Sequence, residues 1–348
     1  MSTFCFAGFV PVGVNHETML PQKQSALCRD GFWKEPGSQR RLIATTATTR
    51  RSSLREAEQR EQRQFRKYEG LGNDFVLVDN RNQSELVVDP DRVAALCDRH
   101  TGIGADGFIF LLAPQQKGGS GSEEADFAMR VINSDGSEPE MCGNGVRCLA
   151  RFIEDLGIAT SDTLRIDTKA GEIRIALRGD VVQVDMGEPI LDPVRVPTLL
   201  TPQPPAVSAS LEVDGRSWDV VPVSMGNPHA VVFVDPESLK FIDDNLERIG
   251  PLFELHPAFP ARTNTEFVTV RSASTLEMIV WERGAGRTRA CGTGACAVGV
   301  AANLLGLVSG PCTVLLPGGP LDIDWNRSSN HVYMTGPAKY VFQGSLDC

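Results

Sequence analysis

No Cys-x-x-Cys pair occurs in the 348-residue sequence, and its nine cysteines are too sparse to staple a disulfide scaffold. That absence removes the zinc ribbon and the thioredoxin-type centre, and the thiols are expected to be mostly reduced. Nor does any apolar run approach the roughly 18 to 20 residues needed to span a bilayer, so no membrane association is expected. Positive charge is scarce after the first part of the chain: residues 1–66 carry eleven Lys and Arg against six Asp and Glu, and residues 67–348 carry 23 against 38. An acidic body has no general footprint for a phosphate backbone or an anionic membrane. It argues against a nucleic-acid partner and suits a small polar substrate. What is present is a hydrophobic fraction of 41%, enough for a sizeable core, in a length that suits two ordinary domains.

Residues 1–62 differ from the rest. Arg40 to Ser53 is rich in Arg, Ser and Thr and holds no acidic residue, and the segment has no apolar core of the secretory kind. The composition is that of an organelle transit peptide. A tail without an address is the alternative, favoured by Glu17, Asp30 and Glu35.

The folded body is expected from about residue 63, where Phe65-Arg66-Lys67-Tyr68 leads into the apolar run Asn73 to Asp79. Further strands are read at 108–112, 128–132, 163–167, 172–176 and 181–186, then at 218–223, 230–234, 266–270 and 276–281, and finally at 312–316 and 332–335. Helices should be few, and two matter: Gly143 to about Asp155 and Gly292 to about Leu307. The second is apolar nearly all round, as a helix buried on every side must be. Pro-rich Leu191–Ala209 reads as a linker.

The second half repeats the first. Gly72 to Asp79 is echoed by Gly226 to Asp235 with two extra residues, and Asn133 to Gly145 aligns without a gap on Glu282 to Gly294. Each half therefore places Cys-Gly-x-Gly before a helix, at Cys142 and at Cys291. A duplication of this kind implies two domains of one architecture facing each other across a pseudo-two-fold axis. The fold class expected is α/β (α+β), with domains over 63–190 and 191–338.

A cysteine followed by Gly-x-Gly and a helix sits among backbone N–H groups that lack intrahelical acceptors, at the positive end of the helix dipole. Such a site favours thiolate, and its N–H groups make a place for a carboxylate. If both helix starts face one cleft, a substrate carboxylate can lie between them with a sulfur on each side of its α-carbon. One thiol would then remove the α-proton while the other delivers a proton to the opposite face. A single Cys-Gly-x-Gly is a weak signal, because buried free cysteine is commonly a small hydrophobe. Two at matching places in a duplicated chain are a strong one. Cys148 and Cys296, inside the helices, read as core.

Around the cysteines stand Asn73, Asn133, Asn227 and Asn264, beside glycines, prolines or strand ends, where an amide either closes a turn or points into a cleft. Glu282-Arg283 offers adjacent opposite charges, suited to an ammonium and a carboxylate or to a surface ion pair. His229 is either a proton-handling partner for a cysteine or a satisfied structural residue.

Together these stretches resemble diaminopimelate epimerase across residues 65–348. The resemblance is carried by Tyr68 to Phe75, Asp98 to Gly107, Asn133 to Asn144, Val223 to His229, Arg262-Thr263-Asn264, Glu282 to Gly286 with Cys291 to Gly294, Leu316 to Leu321, and Tyr333 to Pro337. It implies interconversion of LL- and meso-diaminopimelate in lysine biosynthesis, without metal or pyridoxal cofactor, with Cys142 and Cys291 as the acid/base pair. Gly143, Asn144, Gly292 and Thr293 would bind the carboxylate at the reacting centre, with Asn73 nearby. Asn133, Asn227, Asn264, Glu282 and Arg283 would recognise the distal L-centre, and His229 and Glu282 are candidates to assist proton transfer. The resemblance also implies a curved, mainly antiparallel sheet around a central helix in each domain, a C-terminal strand (339–348) returning to the first domain, and a homodimer. Gly107 stands where some bacterial relatives have a glutamine, so no side-chain contact is assigned there. The transit-like extension points to the plastid of a plant or alga. The rival readings are a proline or hydroxyproline racemase of the same fold, a dithiol redox protein, and a non-catalytic binding module.

Overall fold

The computed structural model describes residues 62–114, 125–139, 141–202 and 207–347. The transit-like segment up to residue 61 lies outside the described residues, as do Cys5, Cys28 and Cys348. The first half runs β1 (Gln62–Gly70), β2 (Asn73–Asp79), α1 (Pro90–Cys97), β3 (Gly107–Leu112), β4 (Phe127–Asn133), α2 (Gly143–Asp155), β5 (Thr163–Thr168), β6 (Gly171–Arg178) and β7 (Val181–Asp185). The second runs β8 (Ala209–Val213), β9 (Arg216–Ser224), β10 (Pro228–Phe233), α3 (Pro236–Asp244), α4 (Leu246–Glu254), β11 (Asn264–Ser272), β12 (Thr275–Glu282), β13 (Gly286–Arg287), α5 (Gly292–Leu304), β14 (Cys312–Leu316), β15 (Gly319–Trp325), β16 (Val332–Pro337) and β17 (Lys339–Asp347).

The duplication read from sequence is present in the pairing order. In the first half β1 pairs antiparallel with β2, β2 parallel with β3, β3 antiparallel with β4, β4 parallel with β5, and β5, β6 and β7 follow antiparallel. Strands β9, β10, β11, β12, β14, β15 and β16 repeat that series in the same senses. The last members, β7 and β16, pair with each other and join the halves. Outer strands also correspond: β17 lies antiparallel against β1, and β8 against β9. Each curved sheet wraps one central helix, α2 or α5, as the alternating apolar strands require.

The central helices are buried for different reasons. Helix α5 is Ala-, Gly- and Val-rich, so close neighbours can approach it from all sides, and Ala295 to Ala302 are buried without exception. Helix α2 buries one wide face through Val146, Cys148, Leu149, Ala150, Phe152 and Ile153. Both belong to one apolar cluster that also takes in Cys148, Cys296 and Cys312, so the reading of Cys148 and Cys296 as core holds. Helix α5 stops at Leu304, three residues short of the expected end, because Gly306 turns into the left-handed region at φ 68°.

Three further helices were not among those singled out from sequence. Helices α1 and α3 start with the same device, an aspartate that accepts a hydrogen bond from the N–H three residues on (Asp89 from Arg92, Asp235 from Ser238), followed by proline in the first turn. Helix α4 bears on the site through Trp281 of β12, whose Nε1 donates to Glu254 Oε2 at 2.7 Å. Glu254 Oε1 accepts from Gly284 N at 2.9 Å, so this helix holds the turn that follows Glu282 and Arg283. The Pro-rich connection is not a free linker. Val196 and Leu200 are buried, and Leu199 N donates to Ala258 O at 2.8 Å.

Gly250 of α4 lies so close to the Trp281 indole that a Cβ there would overlap the ring. Gly250→Ala is expected to lower stability by about 1–3 kcal/mol, the usual range for overpacking, read as a reduced urea midpoint with an unchanged m value.

Candidate active site

Cys142 and Cys291 occupy the same position in the two halves, the N-cap of the central helix. Their backbones are extended, at φ −137° and ψ 110° for Cys142 and φ −118° and ψ 108° for Cys291. Each sulfur accepts a hydrogen bond from the glycine three residues on, Gly145 N at 3.4 Å and Gly294 N at 3.3 Å. The N–H groups of Gly143, Gly292 and Thr293 make no hydrogen bond among the described residues and are left for an anion. The Met334 side chain lies against both turns: a Cβ at Gly143 would sit in ordinary contact 3.4 Å from Met334 Cε, and one at Gly292 a tighter 3.0 Å from Met334 Sδ. Buried Met334, on β16, thus floors both turns.

Both cysteines line one cleft of about 1270 Å³ between the halves, together with Asn73, Asn133, Gly143, Asn144, Asn227, Glu282, Arg283, Gly292 and Thr293. Two of the sequence-predicted residues stand apart from this lining. Asn264 is buried on β11, its amide spent on Pro228 O (3.0 Å) and on Arg283 N (2.9 Å). His229 is fully buried on β10, beside Asn264 in the parallel register. Its Nδ1 lies 2.7 Å from Glu266 Oε1 and its Nε2 3.0 Å from Asn227 Oδ1, so it reaches no sulfur directly. The chain continues outward, with Asn227 Nδ2 donating to Thr293 Oγ1 at 3.3 Å and Thr293 Oγ1 lying 3.5 Å from Cys291 Sγ.

The cleft also contains residues that sequence reasoning did not assign. Asn73 Nδ2 donates to Asp106 Oδ2 at 2.6 Å, and Arg99 bridges Asp74 and Asp106 at 2.6 and 2.7 Å. Lys67 pairs with Asp74 at 2.7 Å from beneath. The sequence signal for them is the charged stretch Asp98 to Asp106. Gly107, next in line, cannot carry a side chain on this backbone, because its Cβ would lie 2.6 Å from Ile132 O. Asn144 couples the halves: its Nδ2 donates to Asn73 Oδ1 and to Ala290 O, both at 3.3 Å, the latter adjacent to Cys291.

The electrostatics correct one expectation. The helix starts were expected to favour thiolate, yet burial pushes both thiols up from the ordinary cysteine value. For Cys142 the Gly145 N–H and the Arg147 guanidinium oppose that rise. For Cys291 the carboxylates of Glu282 and Glu266 add to it, and its thiol is held well above normal. Glu282 is itself pushed up by burial, while Thr288 Oγ1 donates to its carboxylate.

The family model for diaminopimelate epimerase matches residues 65–191 and 221–341. The chain belongs to that family. A diaminopimelate epimerase of Synechococcus sp. (strain JA-2-3B'a(2-13)) is 56% identical over 285 residues, covering 81% of this chain and 97% of that protein. The chloroplastic diaminopimelate epimerase of Oryza sativa subsp. japonica is 52% identical over 321 residues, 89% of each. Among solved structures, a PhzF-family phenazine biosynthesis protein of Bacillus anthracis has a TM-score of 0.56 at 17% identity, over 82% of this chain and 99% of that one. A hydroxyproline epimerase of Agrobacterium vitis has a TM-score of 0.55 at 16% identity, over 84% and 94%. At such identities these two show the fold alone.

Burial opposes ionisation of Asp74, but hydrogen bonds from Arg99 and Lys67 overcome it and hold the carboxyl down at about 2. A depressed carboxylate stabilises the fold above its unfolded value, about 3.9, and loses that contribution as pH falls toward the folded value. Urea unfolding at pH 6 and pH 3 should therefore show a smaller loss on acidification for Arg99→Met than for the wild type.

Proposed function

We propose that this chain interconverts LL- and meso-diaminopimelate in lysine biosynthesis by a two-base mechanism in which Cys142 and Cys291 act on opposite faces of one α-carbon. The observation that carries the reading is the pair of N-cap cysteines on one cleft, each beside N–H groups left for an anion. The α-proton of an amino acid is very weakly acidic, so the negative charge that builds on the carboxylate during its removal must be stabilised. N–H groups of Gly143, Asn144, Gly292 and Thr293 aimed at that carboxylate supply this, and Asn73 supports them through Asn144. One sulfur removes the proton as thiolate while the other, as thiol, delivers one to the opposite face, and the reverse reaction exchanges the roles.

The distal L-centre is recognised by Asn133, Asn227, Glu282 and Arg283, with Asn264 acting through the Arg283 backbone. Glu282 faces Cys291 and assists it, and His229 acts at one remove through Asn227 and Thr293. Residues 63–190 and 191–338 act as the two domains, and 339–348 complete the first. The enzyme works as a homodimer in the plastid stroma, with residues 1–62 as the address. Support for the last point is the Arg-, Ser- and Thr-rich composition of that segment and the chloroplastic rice relative.

Incubation of the full chain with LL-diaminopimelate in D₂O should give meso product carrying α-deuterium. Cys142→Ala and Cys291→Ala should each lower epimerisation at least about a hundredfold. Full activity in either variant would refute the two-base assignment, and absence of exchange by reduced wild type would refute the epimerase reading. Because both thiols are raised, the thiolate fraction grows only as pH climbs. The kcat/KM should therefore increase through the alkaline side of neutrality, and an acid optimum would contradict the assignment.

A further inference from the structure

Arg147 is the one guanidinium buried completely among the described residues, with none of its surface exposed. No carboxylate among the described residues lies within ion-pair distance of it. Its partners are neutral: Nη1 donates to Gly143 O at 3.3 Å and approaches Met334 Sδ at 3.8 Å, Nε donates to Pro337 O at 3.2 Å, and Nη2 donates to Asn144 Oδ1 at 3.0 Å. A buried charge held only by dipoles is costly to keep and calls for an anion nearby. The surrounding backbone leaves it room, since a Cβ at Gly70 would lie 3.2 Å from Nη2 and one at Gly336 3.3 Å from Nε.

The position is also where the duplication breaks. Arg147 is the fifth residue after the Cys142 N-cap, and the fifth after Cys291 is Cys296. The two sulfurs therefore meet different fields. Cys142 faces Arg147 from its own helix and Glu282 from β12. Cys291 faces two carboxylates, Glu282 and Glu266 of β11, the latter in contact with His229 of β10. Arg147 itself is faced by Cys142 and Cys148 from α2, Cys296 from α5 and Glu69 from β1.

We propose that Arg147 is a positioning residue that braces the Gly143-Asn144 turn from behind and makes Cys142 the sulfur that ionises first in the substrate-free enzyme. The guanidinium fork fixes the Gly143 carbonyl and the Asn144 amide, which sets the direction of the neighbouring N–H groups, and its charge favours an anion at Cys142. This assignment rests on the two-thiol reading above.

The test needs no substrate. The full chain is alkylated with iodoacetamide from about pH 6 to pH 10, a range spanning the ordinary cysteine value, and modification at Cys142 and Cys291 is followed separately by peptide mass spectrometry. Accessibility alters the plateau rate of each curve, whereas thiolate formation sets its midpoint. In the wild type the Cys142 midpoint should lie below that of Cys291. Arg147→Met should raise the Cys142 midpoint by about one pH unit or more, a tenfold loss of thiolate at fixed pH, and leave Cys291 where it was. Arg147→Lys, which keeps the charge and loses the fork, should hold the Cys142 midpoint near wild type while kcat falls. A wild-type protein in which Cys291 ionises first overturns the inference, as does a folded Arg147→Met with an unmoved Cys142 midpoint. Should Arg147→Met not fold, the wild-type order of midpoints decides alone. A protein that deuterates substrate yet ionises at Cys291 first would sink this inference and leave the epimerase reading standing.

Discussion

The hydrogen bond from a glycine N–H to the sulfur of the N-cap cysteine, made once in each half, is the constraint on which the site depends. It sets each sulfur at a helix start, beside N–H groups that no residue of the helix can satisfy. Two competing effects then act on the sulfur. A helix N-terminus stabilises a negative charge by about 0.3–1 kcal/mol, whereas burial can move an ionisable group by several pH units, each about 1.4 kcal/mol. Burial wins, which is why both thiols lie above the ordinary value. The helix start alone does not bring either thiol down, and the neighbouring charges set the rest of each shift.

The skeleton of the site is symmetric and its substituents are not. The repeated strand order with its two central helices places Cys142 and Cys291 at equivalent N-caps on one cleft. The copies differ at Asn133 against Glu282, Ser134 against Arg283, Asn144 against Thr293, and Arg147 against Cys296, and of these Asn133, Ser134, Asn144, Glu282, Arg283 and Thr293 line the cleft. Met334 belongs to neither set. It supports both turns from the seam between the halves, so a change there would act on both cysteines at once.

Much of this was legible in the sequence because the governing signals are local. Alternation marked most strands within a residue or two, and the repeated Cys-Gly-x-Gly marked both helix starts. Helices α1 and α3 have readable starts in Asp89-Pro90 and Asp235-Pro236 but run only eight and nine residues, too short for a clear helical period. Strand β15 was hidden by Gly319-Pro320, which resembles a turn. The burial of Asn264, His229 and Arg147 was not legible for a different reason. Their burial is created by partners far along the chain: Pro228 and Asn264 across a parallel strand pair, and Pro337 some 190 residues beyond Arg147. An arginine on a helix ordinarily reads as solvated, and only the second half laid against the first makes it otherwise.

The pairing of β1 with β17 bears on how the molecule is made. Gln62 lies opposite Asp347, 285 positions away in sequence. The first sheet therefore lacks an outer strand until β17 docks, and until then β1 offers an unpaired edge. Closure over such a span is slow compared with helix and hairpin formation. A chain truncated before β17 would leave an adhesive edge on the half that carries Cys142.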